Sequence, residues 1–200
     1  MKNLIILEGP DGIGKSTVCA ELSKHIPNSE VLAFPGNEPG TLGKWVYNMH
    51  HDPTLAIGPT ALQALHIAAH IDAVERVIMP KLREGTTVIL DRFLFSTWVY
   101  GRVYGAHLPT LKYLVDAEEL FWYGQGIEEF NVIYVIIDVP KPYNDFERSM
   151  VTWNELNGQY RDLYKQLKFE LSDWYKSRIH QVGDVTLDEK VSAILALVND

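Results

Sequence analysis

The residues with the clearest chemical purpose lie in one short run, Glu8-Gly9-Pro10-Asp11-Gly12-Ile13-Gly14-Lys15-Ser16-Thr17, which contains the spacing G-x-x-x-x-G-K-S. Glycines at this spacing let successive backbone N–H groups turn inward around phosphate oxygens, while Lys15 reaches the outer phosphates. Ser16 offers a hydroxyl to Mg²⁺, and a helix starting here turns its positive end toward the anion. A second pair, Asp91-Arg92, closes an apolar stretch. A carboxylate at the C-terminal end of a strand beside a phosphate loop can hold Mg²⁺ or its waters. An adjacent arginine can clamp a phosphoryl group with two parallel hydrogen bonds. A surface ion pair is the other reading of that dipeptide. Cys19, one turn beyond the loop, reads as a small buried hydrophobe rather than a reactive thiol.

These groups need a scaffold, and the apolar pattern supplies one. Lys2–Leu7, Val31–Phe34, Thr86–Leu90 and Asn131–Val139 are short apolar runs, as expected of strands buried on both faces. Helical periodicity marks Lys15–Ile26, Pro59–Arg83, Thr110–Tyr123, Val151–Arg178 and Leu187–Val198, with Pro80 expected to bend the second of these. Strands alternating with helices predict an α/β fold with a parallel sheet covered on both sides. No linker-like stretch divides residues 1–200, so a single domain is expected, with the loop's own strand first.

Composition narrows the partners. With 46% hydrophobic and 22% charged residues, the chain reads as an ordinary soluble globule. Its 26 acidic against 18 basic residues give a net charge of −8, which argues against an extended nucleic-acid groove and for small-molecule partners. No apolar run approaches a membrane span, and Met1–Leu7 is too short for a secretory signal. The single cysteine excludes an intramolecular disulfide framework and suits a reducing cytoplasm.

With these pieces in place the chain resembles the thymidylate kinase family over nearly its whole length. The phosphate loop has an acidic third position, Gly9-Pro10-Asp11-Gly12. Asn37-Glu38-Pro39-Gly40-Thr41-Leu42-Gly43 is similar to the family's R-E-P-G-G-T segment, and Val77-Ile78-Met79-Pro80-Lys81-Leu82 to the helix end before its third strand. Asp91-Arg92-Phe93-Leu94-Phe95-Ser96-Thr97-Trp98-Val99-Tyr100 matches D-R-Y-x-x-S-x-x-A-Y.

The resemblance implies a five-stranded parallel sheet with helices on both faces, ATP as phosphoryl donor and a homodimer. It also implies roles. Gly9, Gly12, Ile13, Gly14, Lys15, Ser16 and Thr17 would bind ATP, with Gly183 and Asp184 lining its adenine. Asp11 would bond the acceptor's 3′-hydroxyl region, Arg92 its phosphate, and Thr97 would sit near the base edge. Tyr100 would occupy the space of a ribose 2′-hydroxyl. Lys15, Asp91, Arg92 and Arg148 are the expected catalytic set, Arg148 from a lid near residues 140–158.

Several positions depart from the pattern. The arginine before E-P-G is Asn37, and a later arginine aligns with Tyr47. Lys44 either supplies a replacement charge or is simply solvated. The expected lid carries only Lys141 and Arg148 against Asp145, Glu147 and Glu155. Arg102 is a further candidate cation. The family's base-stacking phenylalanine falls on His66 and its base-reading arginine on His70, one helical turn apart on a shared face. They therefore read a base other than plain thymine, fill core positions, or form half of a metal site with no evident third ligand. The expected reaction is phosphoryl transfer to a deoxynucleoside monophosphate with a dTMP-like or 5-modified pyrimidine base. A deoxynucleoside acceptor and a degenerate nucleotide-binding regulatory module are the alternatives.

Overall fold

Five segments pair into one parallel sheet: β1 (Asn3–Glu8), β2 (Ser29–Ala33), β3 (Thr87–Asp91), β4 (Asn131–Ile137) and β5 (Ile179–Val182), in the order β2-β3-β1-β4-β5. The computed structural model describes residues 2–34, 40–52, 54–143, 149–170 and 173–199. Strand side chains alternate between two cores. Leu4, Ile6, Val88, Leu90, Val132 and Ile136 face one side, while Ile5, Leu7, Ile89, Ile133, Val135 and Ile137 face the other. Burial on both faces is why β1, β3 and β4 read as continuous apolar runs; β2, at the sheet edge and with no buried residue, corrects the expectation of a strand buried on both faces. Truncating a fully buried Ile5 to alanine is expected to cost about 2–5 kcal/mol.

Helices cover both cores. On one side lie α1 (Lys15–His25) and, from the C-terminus, α9 (Leu187–Asn199). On the other lie α3 (Pro59–Ala73), α4 (Met79–Glu84), α5 (Leu94–Val103), α6 (Leu108–Gly124) and the inner face of α7 (Met150–Lys165). The short α2 (Leu42–His50) packs on α3, and α8 spans Asp173–Arg178. The periodicity of the sequence does not single out α2 or α5. α2 starts at Thr41, whose hydroxyl accepts from Lys44 N at 3.2 Å, an N-cap on a nine-residue helix too short to show a stripe. No helix among the described residues is long and apolar enough to cross a membrane.

Two long helical expectations hold for most of their length, each interrupted by a wider turn. Pro59–Arg83 is not one helix bent at Pro80: a π-helical turn over Val74–Ile78 separates α3 from α4. Pro80 cannot donate to the carbonyl of Arg76 and its ring crowds it, so the preceding turn widens. Val151–Arg178 likewise divides into α7, a π-helical turn over Gln166–Glu170, and α8. Residues 150–158 of the expected lid are the first turns of α7. Ser149 caps them by accepting from Thr152 N at 3.2 Å, and Trp153 and Leu156 are fully buried.

The register decides what meets at the sheet's C-terminal edge. Leu7 lies opposite Asp91, and Arg92 N donates to Leu7 O at 2.9 Å, so Asp91-Arg92 sits beside Glu8-Gly9. This is the edge at which open α/β sheets bind ligands.

Candidate nucleotide site

The turn from Glu8 to Lys15 crosses this edge and feeds α1. Gly9 has φ +143°, and a Cβ there would lie 2.9 Å from Ile137 O, so only glycine allows this approach to β4. Gly14, at φ 81°, is the left-handed N-cap of α1. Lys15 is 6% exposed, and its ammonium donates to Pro10 O at 2.7 Å. Burial, and then the charge of Arg92, lower its pKa to about 7. Ser16 Oγ donates to Asp91 Oδ2, so a hydroxyl and a carboxylate converge at the head of the helix.

Behind the turn stands a group that the sequence reading quoted without a role. Glu8 is fully buried and accepts from Phe93 N at 2.9 Å, Ser96 N at 3.3 Å and Ser96 Oγ at 2.5 Å. Burial raises its pKa, opposed by these bonds and by Arg92. Its carboxylate thus pins the start of α5 to the end of β1. Glu8 and Phe93 are 85 residues apart, a pairing no local spacing reveals.

Arg92 is the hub of the cleft. Its backbone is left-handed at φ 71°, a strain of about 1–2 kcal/mol for a non-glycine residue. Its guanidinium donates to Gly9 O at 2.6 Å, Asp11 Oδ1 at 2.6 Å, and Ser96 Oγ and Tyr160 OH at 3.3 Å. It lies 5.1 Å from the centre of the Tyr100 ring, and Tyr100 OH donates to Asp11 Oδ2 at 3.0 Å. The loop is tied to α7 as well, because Trp153 Nε1 donates to Asp11 O at 2.8 Å.

On the far side of the turn, Tyr143 N donates to Gly12 O at 2.8 Å and its ring lies against Gly14. Its hydroxyl donates to Asp184 Oδ1 at 2.5 Å, and Lys190 Nζ donates to that hydroxyl at 3.0 Å. Burial, then Asp184, push the Tyr143 phenol up to about 12. Asp184, and Gly183 before it, are therefore linked to the phosphate turn through Tyr143 and Lys190, two residues the sequence reading missed.

An open cleft extends from Arg92 toward α2 and α3, lined by Asp11, Phe34, Tyr47, His50, His51, Gln63, His66, Arg92, Phe93, Ser96, Thr97 and Tyr100. It brings together the expected Asp11, His66, Arg92, Thr97 and Tyr100. His70 does not line it. It is 2% exposed, stacks on Phe93 at 4.3 Å and meets the buried Glu118 carboxylate at 3.0 Å through Nδ1, so it supports the cleft wall from behind. His66 is held neutral, its pKa pushed down to about 3 by burial and by His70 and His50, and so does not titrate near neutrality. Among the described residues no group of three His, Cys, Asp or Glu could hold a metal ion. Lys44 Nζ lies 5.2 Å from the centre of the Tyr47 ring, whereas Arg102 stacks on Trp98 and is not among the lining residues. Asn37 and Arg148 lie outside the described residues. Cys19 is buried and burial pushes its thiol up, which keeps it inert.

A sequence model of the thymidylate kinase family matches residues 7–118. The chain is 39% identical over 119 residues to the thymidylate kinase of Neorickettsia sennetsu, a stretch covering 58% of this chain and 57% of that one. It thus spans little more than half of that relative's length. With the thymidylate kinase of a Synechococcus strain the identity is 29% over 205 residues, covering 97% and 94% of the two chains. Thymidylate kinase from Ehrlichia chaffeensis has the same fold, with a TM-score of 0.71 at 20% identity over 99% of this chain and 100% of that one. The family match takes in the phosphate turn, β3 with its Asp91-Arg92 end, and the cleft-lining helices α2, α3 and α5, and on that ground the chain belongs to the thymidylate kinase family.

Proposed function

We propose that this protein transfers a phosphoryl group from ATP to a deoxynucleoside monophosphate with a thymine-like or 5-modified pyrimidine base. The observation that carries this reading is the meeting of two anion sites on one sheet edge. The phosphate turn with Lys15 lies on one side, and Arg92, oriented by Gly9 and Asp11, opens the adjoining cleft on the other. Family membership supports the same reaction.

In this reaction an acceptor phosphate oxygen attacks the γ-phosphorus of ATP, the bond to the β,γ-bridging oxygen breaks, and ADP leaves with the diphosphate as the other product. The protein's part is to position and neutralise charge. Lys15 supports the transferring group and Arg92 holds the acceptor phosphate. Asp11 fixes Arg92 and meets the acceptor sugar, and Tyr100 fills the 2′ side. Glu8 holds β1, Phe93 and Ser96 in register beneath them. Ser16 and Asp91 are hard oxygen donors in contact, which suits Mg²⁺, and they would hold it. Bound there, the ion would supply positive charge against the donor phosphates. Gly183 and Asp184, steadied by Tyr143, would line the donor adenine, and Arg148 would close over the phosphates.

The outward face of α6 exposes Tyr113 and Leu120, 76% and 71% accessible, seven residues apart on one stripe. This supports pairing with a second copy of the chain. The single, buried cysteine suits a cytoplasmic setting.

The test is ADP release from ATP against a panel of nucleosides and nucleoside monophosphates, with Mg²⁺ varied. Stimulation by pyrimidine deoxynucleoside monophosphates is the expected result. Stimulation only by nucleosides would move the acceptor down one phosphate. Tight ATP binding with no stimulation would make the chain a binding module.

A further inference from the structure

Gln63 is 3% exposed and lines the cleft, yet no residue among those described donates to its carboxamide or accepts from it. Its amide atoms are not fully enclosed either, because the only enclosed, unpartnered side-chain polar atom described is Asn157 Oδ1. What little of Gln63 remains accessible therefore includes both amide atoms, and Gln63 is one of the residues that line the cleft. Thr97, 4% exposed and lining the same cleft, shares this condition. Buried polar groups are almost always paired within the fold, so two in one cleft without partners mark a place where a ligand completes the pairing.

The position of Gln63 is built in. A Cβ at Gly101, one turn after Thr97 on α5, would lie 3.0 Å from Gln63 Cγ and 2.8 Å from Leu111 Cδ2, so the side-chain stem occupies the space that this glycine leaves. Gln63 and His66 share a face of α3, three residues apart. The charged groups of the cleft, Asp11 and Arg92, are bonded to each other beside the phosphate turn. Beyond them the lining includes the uncharged polar side chains of Gln63 and Thr97 and the neutral His66.

We propose that Gln63 reads the acceptor base, pairing its carboxamide with N3 and the 4-substituent of a pyrimidine. The inference rests on the function proposed above and deepens it. With no protein partner fixing the amide, a half-turn about its last torsion exchanges oxygen and nitrogen. In one orientation it accepts from N3–H and donates to O4, the edge of thymine or a 5-substituted uracil. In the other it donates to N3 and accepts from the 4-amino group of cytosine. The site therefore reads an adjacent donor and acceptor without reading their order, and both base types are accepted.

The test is equilibrium binding of dTMP, dCMP and N3-methyl-dTMP to the full chain, the last carrying a methyl where the amide must pair. For the parent, dTMP and dCMP are expected to bind within about tenfold of each other, with N3-methyl-dTMP at least about tenfold weaker. Gln63→Met keeps length and volume without polar atoms, and should bring dTMP and dCMP down to the N3-methyl level while leaving N3-methyl-dTMP unchanged. Gly101→Ala, which displaces the stem, should act in the same direction. A purely structural role would weaken all three ligands alike. If Gln63→Met keeps the preference for dTMP over its N3-methyl form, Gln63 does not read the base, although the kinase reading survives. A parent that binds dTMP and refuses dCMP overturns the exchange of orientations. A parent that binds none of the three overturns the proposed function and this assignment together.

Discussion

The two ends of the cleft are built on opposite principles. At the phosphate end nearly every charge is tied down by the fold: Arg92 by Gly9, Asp11, Ser96 and Tyr160, Glu8 by Phe93 and Ser96, and Lys15 by Pro10. At the base end the lining includes Gln63, Thr97 and the neutral His66. Its rings pack edge-on or stacked, as Phe34 does with Phe93 at 4.7 Å and His70 with Phe93 at 4.3 Å, and the carboxamide of Gln63 is held only by its stem. A charge out of water is costly unless its partners are already in place, so the end that handles phosphates is preorganised by the protein itself. Uncharged hydrogen bonds cost less to leave open, and there the ligand completes the pairing.

The comparison breaks first if the phosphate end tolerates loss of charge. Lys15→Ala and Asp91→Ala should each lower turnover at least about 100-fold with the fold retained by circular dichroism. Survival of more than about a tenth of the rate would remove that role. Next in size is Glu8→Ala, which strands the N–H groups of Phe93 and Ser96 and should cost roughly 2–4 kcal/mol in denaturant unfolding. Its sign with pH is distinctive. Because the folded pKa is raised, the folded state binds the proton more tightly than the unfolded one. Stability from this group is therefore greatest in acid and falls as pH climbs from the ordinary carboxylate range through the raised value. Glu8→Gln should flatten that part of the profile.

A third test uses Lys15, whose pKa lies near 7 in the protein. Polyphosphate favours the ammonium form, so ATP binding takes up a proton at and above neutral pH. Affinity should fall by up to about tenfold per pH unit above 7 until the ATP-bound lysine itself titrates, and calorimetry in buffers of different ionisation heat would show the uptake. Lys15→Arg should abolish the slope. Smaller again, Tyr100→Ala should narrow the preference for a deoxyribonucleotide over its matched ribonucleotide by about tenfold, given the steric role assigned to that ring. A parent with equal kcat/KM for the pair would discard it. The smallest effect belongs to His66. Since it stays neutral down to about pH 3, His66→Phe should leave the pH profile of the acceptor KM between 5 and 8 unchanged. An inflection lost in the variant would show that His66 titrates after all.

The same contrast explains what could be read from the chain alone. β1, β3 and β4 are legible because strands buried on both faces are apolar throughout, and the phosphate turn because its backbone demands glycines at set intervals. Asp91-Arg92 falls at a strand end and is legible for that reason. Glu8 is hidden because its partners lie 85 and 88 residues away, and its burial appears only when α5 docks on β1. His70 looks like a partner of His66 by spacing, but Glu118, 48 residues on, turns it inward. Gln63 is one of several polar residues on α3, beside Thr60, His66, His70 and Asp72, and only the gap at Gly101 shows why it sits there. Pro80 announces a bend, yet the π-helical turn that absorbs it lies before the proline because the clash falls on the preceding carbonyl.

Trp153 gives the molecule a built-in optical reporter. Its indole is wholly enclosed, and its one polar atom donates to the carbonyl of Asp11, in the middle of the phosphate turn. The emission of an indole depends on the dipoles around that nitrogen. A nucleotide that reshapes the turn therefore alters the colour and yield of the Trp153 signal without any attached dye. Trp153→Phe separates that signal from those of the other four tryptophans, so occupancy of the turn can be followed in stopped flow, ahead of any chemistry.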